Sequence, residues 1–180
     1  MVAFLIAMLV VTGVQAPPAH ASFITITLEE MIRESELIVI GTVTNKGETT
    51  GETFEVGKQE FRRLLPFYIA TITVTSVVKG SPSLNELKVN YSDLAGVTPL
   101  LNLQERAVFF VTTLRGDEQG AWKGKQVVLQ GVGGELLIEA DMVKTPYIKD
   151  EPKEQKLNDL LEKIRRILST EHGRKSKAKS

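Results

Sequence analysis

The sequence has no cysteine and only two histidines, His20 and His172. Without thiols there is no disulfide, no zinc–thiolate cluster, no cysteine nucleophile and no lipoprotein-type acylation. One histidine falls in the leader described next and the other in the final basic segment, so Ser-His-Asp triads and imidazole metal sites are excluded from the folded body. Aromatic residues make up 6% of the chain, with a single tryptophan, which leaves few stacking surfaces for nucleic-acid strands. Neither sign of charge is in excess: 22 basic residues match 22 acidic ones, so no overall field points to a polyanionic or acidic partner. Long apolar runs are missing too, except for Val2 to Val14 at the start. That run, followed by Pro17-Pro18 and Ala19-His20-Ala21, reads as an export signal cleaved after Ala21, giving a secreted or cell-surface protein. It is short of the roughly 20 apolar residues that span a bilayer; an uncleaved membrane anchor is the alternative.

What remains is β-patterned. From Tyr68 to Ser81, Ala70, Ile72, Val74 and Ser76 fall on one side of an extended chain and Thr71, Thr73 and Thr75 on the other, a strand with one buried face. Lys79-Gly80-Ser81-Pro82 ends it. Leu37 to Thr44 begins apolar on both faces, as a strand in the middle of a sheet does, and Gly41 inside it marks a bulge or bend. Leu87, Val89 and Tyr91 alternate with polar residues in a third strand. Arg106 to Leu114 is the most hydrophobic strand, with Phe109 and Phe110 filling the core from adjacent positions. Lys125 to Leu129 and Glu135 to Glu139 read as a hairpin around Gly131 to Gly134; no helix start or lysine follows those glycines, so they are not a phosphate cradle.

Two helices are expected. Thr27 and Glu30 have capping-box spacing ahead of Leu28, Met31 and Ile32, which share a face, and Ile26 is placed to staple onto Met31. The second helix is expected to open at Asp150-Glu151-Pro152 and to carry a stripe of Leu157, Leu160, Leu161, Ile164, Ile167 and Leu168, with Asp159–Lys163 and Glu162–Arg166 as i, i+4 pairs. The domain plan is a signal (1–21), a β domain with a leading helix (22–148), an amphipathic helix (149–169) and a basic disordered tail (170–180).

Candidate contacts come from what this plan leaves over. Asn45 to Arg63 is a long polar excursion anchored by Phe54, Val56 and Phe61, either a binding loop or a linker. The stripe at Leu157, Leu161 and Ile164 docks on the β domain or pairs with a partner. Arg174, Lys175, Lys177 and Lys179 offer an anion or membrane-surface contact. Asn90-Tyr91-Ser92 is a glycosylation triplet. Phe54, Phe61, Tyr68, Tyr91 and Trp122 are the aromatics open to an oligonucleotide reading. For chemistry only carboxylates are left. Glu135, Glu139 and Asp141 lie close in sequence but read as solvated charges, Glu105 beside Arg106 as a surface pair, and Arg115 to Gly120 lacks calcium-loop spacing. No catalytic, cofactor or metal residue is assigned.

Ser35 to Thr44, Ala70 to Ser81 with its Lys-Gly-Ser turn, Leu87 to Tyr91 and Glu105 to Val111, in that order, resemble exported prokaryotic proteins similar to the netrin and tissue-inhibitor-of-metalloproteinase modules. The resemblance implies a small five-stranded barrel of the OB type, its first strand bent at Gly41. It does not bring the inhibitors' mechanism, which inserts an amino-terminal cysteine that this chain lacks. The expectation is a mainly β, non-catalytic binding or adaptor module for an extracytoplasmic protein or polymer. A polyanion or oligonucleotide binder is the first alternative and a carboxylate-based hydrolase the second.

Overall fold

The computed structural model describes residues 26–56, 63–92, 101–129 and 134–177. The export signal, Phe61 and Lys179 lie outside these residues. In chain order the elements are β1 (Ile26–Thr27), α1 (Leu28–Glu34), β2 (Leu37–Val56), β3 (Arg63–Lys79), β4 (Glu86–Tyr91) and β5 (Arg106–Thr113). A 3₁₀ segment (Asp117–Trp122) precedes β6 (Gln126–Val128), β7 (Glu135–Glu139), β8 (Met142–Lys144), β9 (Ile148–Lys149), β10 (Glu154–Lys156) and α2 (Leu157–Lys177).

One mainly antiparallel sheet runs β10-β8-β7-β5-β2-β3-β4, with β6 also on β5, while β1 and β9 form a separate parallel pair. The doubly apolar run and the most hydrophobic run predicted from the sequence are its middle strands, β2 and β5. Their alternate residues feed two different cores. Ile38, Ile40, Val108 and Phe110 pack under the helices with Met31, Ile32, Leu160 and Ile164. Val39, Val43, Phe109 and Val111 face an inner core with Ala70, Ile72, Val89 and Tyr91. Phe109 and Phe110 therefore fill opposite sides of the sheet, as neighbours on a pleated strand must.

The sheet does not close into a five-stranded barrel. It curls until β6 lies beside β4, where the Asn90 amide donates to the Gln126 carbonyl at 3.3 Å, but no backbone ladder joins the two strands. The reason lies at β5. Its outer edge is shared by β6, opposite Val111 to Thr113, and by β7, opposite Ala107 to Phe109, and from β7 the sheet continues outward through β8 and β10. The hairpin expected between β6 and β7 is absent for the same reason, since each pairs with β5 and they follow one another along its edge. Gly41 does sit at a register shift between β2 and β3. A Cβ there would lie 2.6 Å from the Thr73 carbonyl oxygen and from a methyl of Ile72, so only glycine lets the strands approach this closely.

α1 begins as its capping box requires. The Glu30 amide donates to Thr27 Oγ1 at 3.2 Å and the Thr27 amide to Glu30 Oε2 at 3.0 Å. Its other end is held by Lys79, whose ammonium donates to the Ile32 and Ser35 carbonyls at 2.7 and 2.5 Å. These are carbonyls that a helix end leaves without an intrahelical partner, so the lysine of the Lys-Gly-Ser turn clamps helix to sheet.

α2 departs from expectation at both ends. It starts at Leu157 rather than at Asp150, because Glu154–Lys156 are taken into the sheet by β8 and Asp150 has φ +67°. It runs on to Lys177, so Arg174, Lys175 and Lys177 belong to its backbone rather than to a disordered tail. Leu157, Leu160, Leu161 and Ile164 are all buried in the helix-side core. Lys163 pairs with Glu151 at 2.6 Å instead of Asp159, and Arg166 lies 3.6 Å from Glu162.

Candidate functional site

Beyond the sheet's body, β2 and β3 continue as a two-stranded arm. The β5 ladder on β2 ends at Thr42 and the β4 ladder on β3 ends at Tyr68, yet β2 and β3 remain paired out to Val56 and Arg63. The polar excursion from Asn45 is thus a strand ribbon, its threonines suiting the pleat and Gly47 and Gly51 taking positive φ at its irregular register. Those register shifts, between Val43 and Asn45, Lys46 and Glu48, and Thr49 and Thr53, twist its edge and make it a poor template for another strand.

An aromatic cluster braces the arm. Phe54 on β2 and Phe67 on β3 lie 4.7 Å apart between centroids, and Trp122 meets them edge-on at 5.0 and 4.6 Å. Lys125 caps the cluster 4.6 Å from the Phe67 centroid while its ammonium is bonded to the Glu52 carboxylate. Offset and edge-to-face pairs of this kind add about 0.5–1.5 kcal/mol each beyond area burial. Past this brace Leu64 is 70% exposed, above Leu103 at 52% and Tyr147 at 37% among the exposed large apolar residues.

Within the sheet's body, on β7, sits a carboxyl group. Glu135 opposes Phe109 in the β7–β5 ladder and, by alternation with Leu136, points to the inner-core side. Its Oε1 is buried without a hydrogen-bond partner. Burial, with the charge of Glu105 second, pushes its carboxyl up to about 7, and Lys46 pulls the other way. Lys46 itself donates to the Leu101 carbonyl at 2.9 Å and lies 5.3 Å from the Tyr91 ring centroid. Glu105 accepts from the Asn102 amide at 3.0 Å rather than pairing with Arg106.

The other expected contacts fall as follows. Phe54 is only 6% exposed and belongs to the brace, so it is not a surface anchor. Leu157, Leu161 and Ile164 are likewise covered by the protein's own core and are closed to a partner. The Asn90 amide nitrogen, the atom a glycan would join, is engaged with Gln126 and Ser92 is 2% exposed, so the folded triplet is not presented. Tyr68 and Tyr91 stack on one another at 5.5 Å instead of standing free for bases. Glu139 pairs with Lys144 at 2.5 Å, and the Asp141 carbonyl receives the Leu157 amide. Among the described residues no group of three or more His, Asp or Glu could hold a metal ion, and no helix is long and apolar enough to cross a membrane. A cleft of about 410 Å³ between the helices sets Glu29, Asp150 and Glu151 against Lys149, Lys163 and Arg166, three charges of each sign, which gives it no preference for an ion of either sign.

Sequence reading missed two things: Phe67 as the centre of the brace, and Glu105 as a charge that acts on Glu135. The first had a signal in the apolar run Leu64-Leu65-Pro66-Phe67 ahead of the central strand. The second had none, because the charge of Glu105 reaches Glu135 only through the tertiary fold, Glu135 itself facing Phe109 in the β5–β7 ladder. No protein-family model matches the chain, and no curated protein matches it significantly.

Proposed function

We propose that this protein is an exported or surface-held binding module that engages its partner through the β2–β3 arm and performs no chemistry on it. The observation that carries this reading is the arm itself: a strand pair extended past both flanking ladders and stiffened near its outer end by Phe54, Phe67 and Trp122, with Leu64 exposed just beyond the brace. Bracing before contact lowers the ordering cost of association, about 0.5–1.5 kcal/mol for each side chain that need not be immobilised on binding. A large exposed apolar side chain on a rigid element is the usual chemistry of an interface anchor. The apolar leader from Val2 to Val14 supports an extracytoplasmic setting. A photo-crosslinking residue at Leu64, compared with one at the exposed Glu86 of β4, tests the reading in the producing cell. A discrete adduct from the arm that is lost in Leu64→Asp supports it, whereas adducts from β4 alone overturn it.

A second reading rests on Glu135, whose carboxyl is pushed up to about 7 by burial and by the charge of Glu105. A carboxyl that keeps its proton near neutrality is the kind of group that serves as the acid in acid–base hydrolysis. Turnover of a glycosidic or ester substrate, lost in Glu135→Gln, would favour it over the binding module.

A further inference from the structure

The cleft between the helices has the size of a small-molecule site, about 410 Å³, and Leu28 of α1 and Ile167 of α2 give it an apolar wall. Its charged wall divides in two. One part is already committed within the protein. The Lys163 ammonium donates to Glu151 Oε2 at 2.6 Å and to Gln155 Oε1 at 3.3 Å, and the Gln155 amide donates to the same Glu151 oxygen at 2.9 Å. Gln155 is 6% exposed and the Glu151 side chain 12%, so this triangle is held in place before any ligand arrives. Both bonds to Glu151 fall on Oε2, and no described residue bonds its Oε1. The other part is uncommitted. The side chains of Glu29, Lys149 and Asp150 make no hydrogen bond or ion pair with the described residues. Arg166 reaches Glu162 only at 3.6 Å, with both side chains largely exposed, a pair that solvent screens. A smaller hollow of about 200 Å³ continues along α2 and shares Glu29, Arg166 and Ile167.

We propose that this cleft binds a small zwitterion of the α-amino-acid class with an aliphatic side chain. Arg166 and Lys149 receive the carboxylate, Arg166 as the planar fork that matches it. Glu151 Oε1 and Asp150 receive the ammonium, and Leu28 and Ile167 meet the aliphatic side chain. A simple cation or anion satisfies one half of such a wall and meets its own sign in the other. A dipolar molecule satisfies both halves, and it loses its translational freedom once for two ionic contacts. The three charges of each sign cancel, so the cleft selects for the presence of both charges in one molecule rather than for net charge. Nothing in this site involves the arm, which leaves the arm free to engage a partner of its own.

Titration of the full chain with L-leucine, followed by amide NMR, tests the site against two analogues of the same shape: isoamylamine, which has only the ammonium, and isocaproate, which has only the carboxylate. Leucine should move the Leu28 and Ile167 amides saturably, with half-saturation at millimolar concentration or below, and leave those of Leu64 on the arm and Phe109 in the sheet where they are. Each analogue should bind about tenfold more weakly or worse. Arg166→Met, at an exposed position, should weaken leucine about tenfold and leave isoamylamine unchanged. Asp150→Asn should weaken leucine and isoamylamine and spare isocaproate; asparagine accepts the positive φ of this position. Should either variant fold poorly, the comparison of leucine with its two analogues on the unaltered protein gives the same answer. Absence of saturation with leucine, an analogue that binds as tightly as leucine, or leucine binding that neither substitution weakens overturns the proposal.

Discussion

Replacing Glu135 by glutamine should make the protein more stable at alkaline pH, and the structure sets both sign and size. In the unfolded chain this carboxyl titrates near 4.5, in the folded protein near 7, because burial disfavours its charged form. Below the lower value both states hold the proton and the group costs nothing. As pH rises through the window between the two values, the unfolded chain releases its proton while the folded protein retains it, so stability falls; above about 7 both are ionised and the penalty is constant. At about 1.4 kcal/mol per pH unit the ceiling is about 3 kcal/mol, and partial access to water brings the expectation to about 2 kcal/mol. Glutamine keeps the shape and carries no charge, so the stability difference between variant and parent should grow from near zero at the acidic end of the window to that amount at its upper end. Taking the difference also removes Glu30, whose carboxyl is lowered first by its hydrogen bond from the Thr27 backbone and whose contribution has the opposite sense, lost as pH falls. Urea unfolding followed through Trp122, the single tryptophan, provides the measurement. A difference that stays flat across the window, or a glutamine variant less stable at its upper end, would refute the account of Glu135 as a desolvated carboxyl.

Further outcomes follow from other sites. Gly41→Ala forces a methyl to within 2.6 Å of the Thr73 carbonyl and should cost about 2–3 kcal/mol in chemical denaturation, whereas Gly47→Ala, which has open space but positive φ, should cost about 1 kcal/mol. Lys79→Met keeps the stem and removes two charge-assisted bonds to the end of α1, lowering stability by about 1–3 kcal/mol, with the loss of amide protection concentrated at Ser35. Leu160→Ala, at a fully buried position of α2, should cost about 2–5 kcal/mol, while Arg165→Ala on its exposed side should stay within about 0.5 kcal/mol in the same assay. Trp122→Ala should loosen the arm locally, raising exchange at Phe54 and Phe67 amides more than at Phe109.

Local grammar was legible and long-range pairing was not. The Thr27–Glu30 box, the apolar runs of β2 and β5, the glycine at the β2 bulge and the stripe of α2 each depend on residues a few positions apart, and each is where the spacing placed it. The failures all involve a choice of partner. Glycines 131–134 looked like a hairpin turn, but the chain on either side of them pairs with β5. Asp150 to Pro152 has the composition of a helix start, yet the free edge of β8 claims the next strand first. Barrel closure turns on which strands take the outer edge of β5, here β6 and β7, and no short-range pattern encodes that. The buried Glu135 was hidden for the same reason, since the charges that act on it, Lys46 and Glu105, are 89 and 30 residues away in sequence.

β6 and β7 end and begin at one residue of β5: the Leu129 amide donates to the Phe110 carbonyl, and the Phe110 amide to the Gly134 carbonyl, both at 2.8 Å. The chain thus leaves the sheet and re-enters it at a single rung, so whatever joins those two points spans almost no distance. Lengthening such a connection costs only about 0.6 kcal/mol per doubling. This is the position at which an epitope tag or a fluorescent reporter could be spliced into the protein while both of its cores and its arm stay intact.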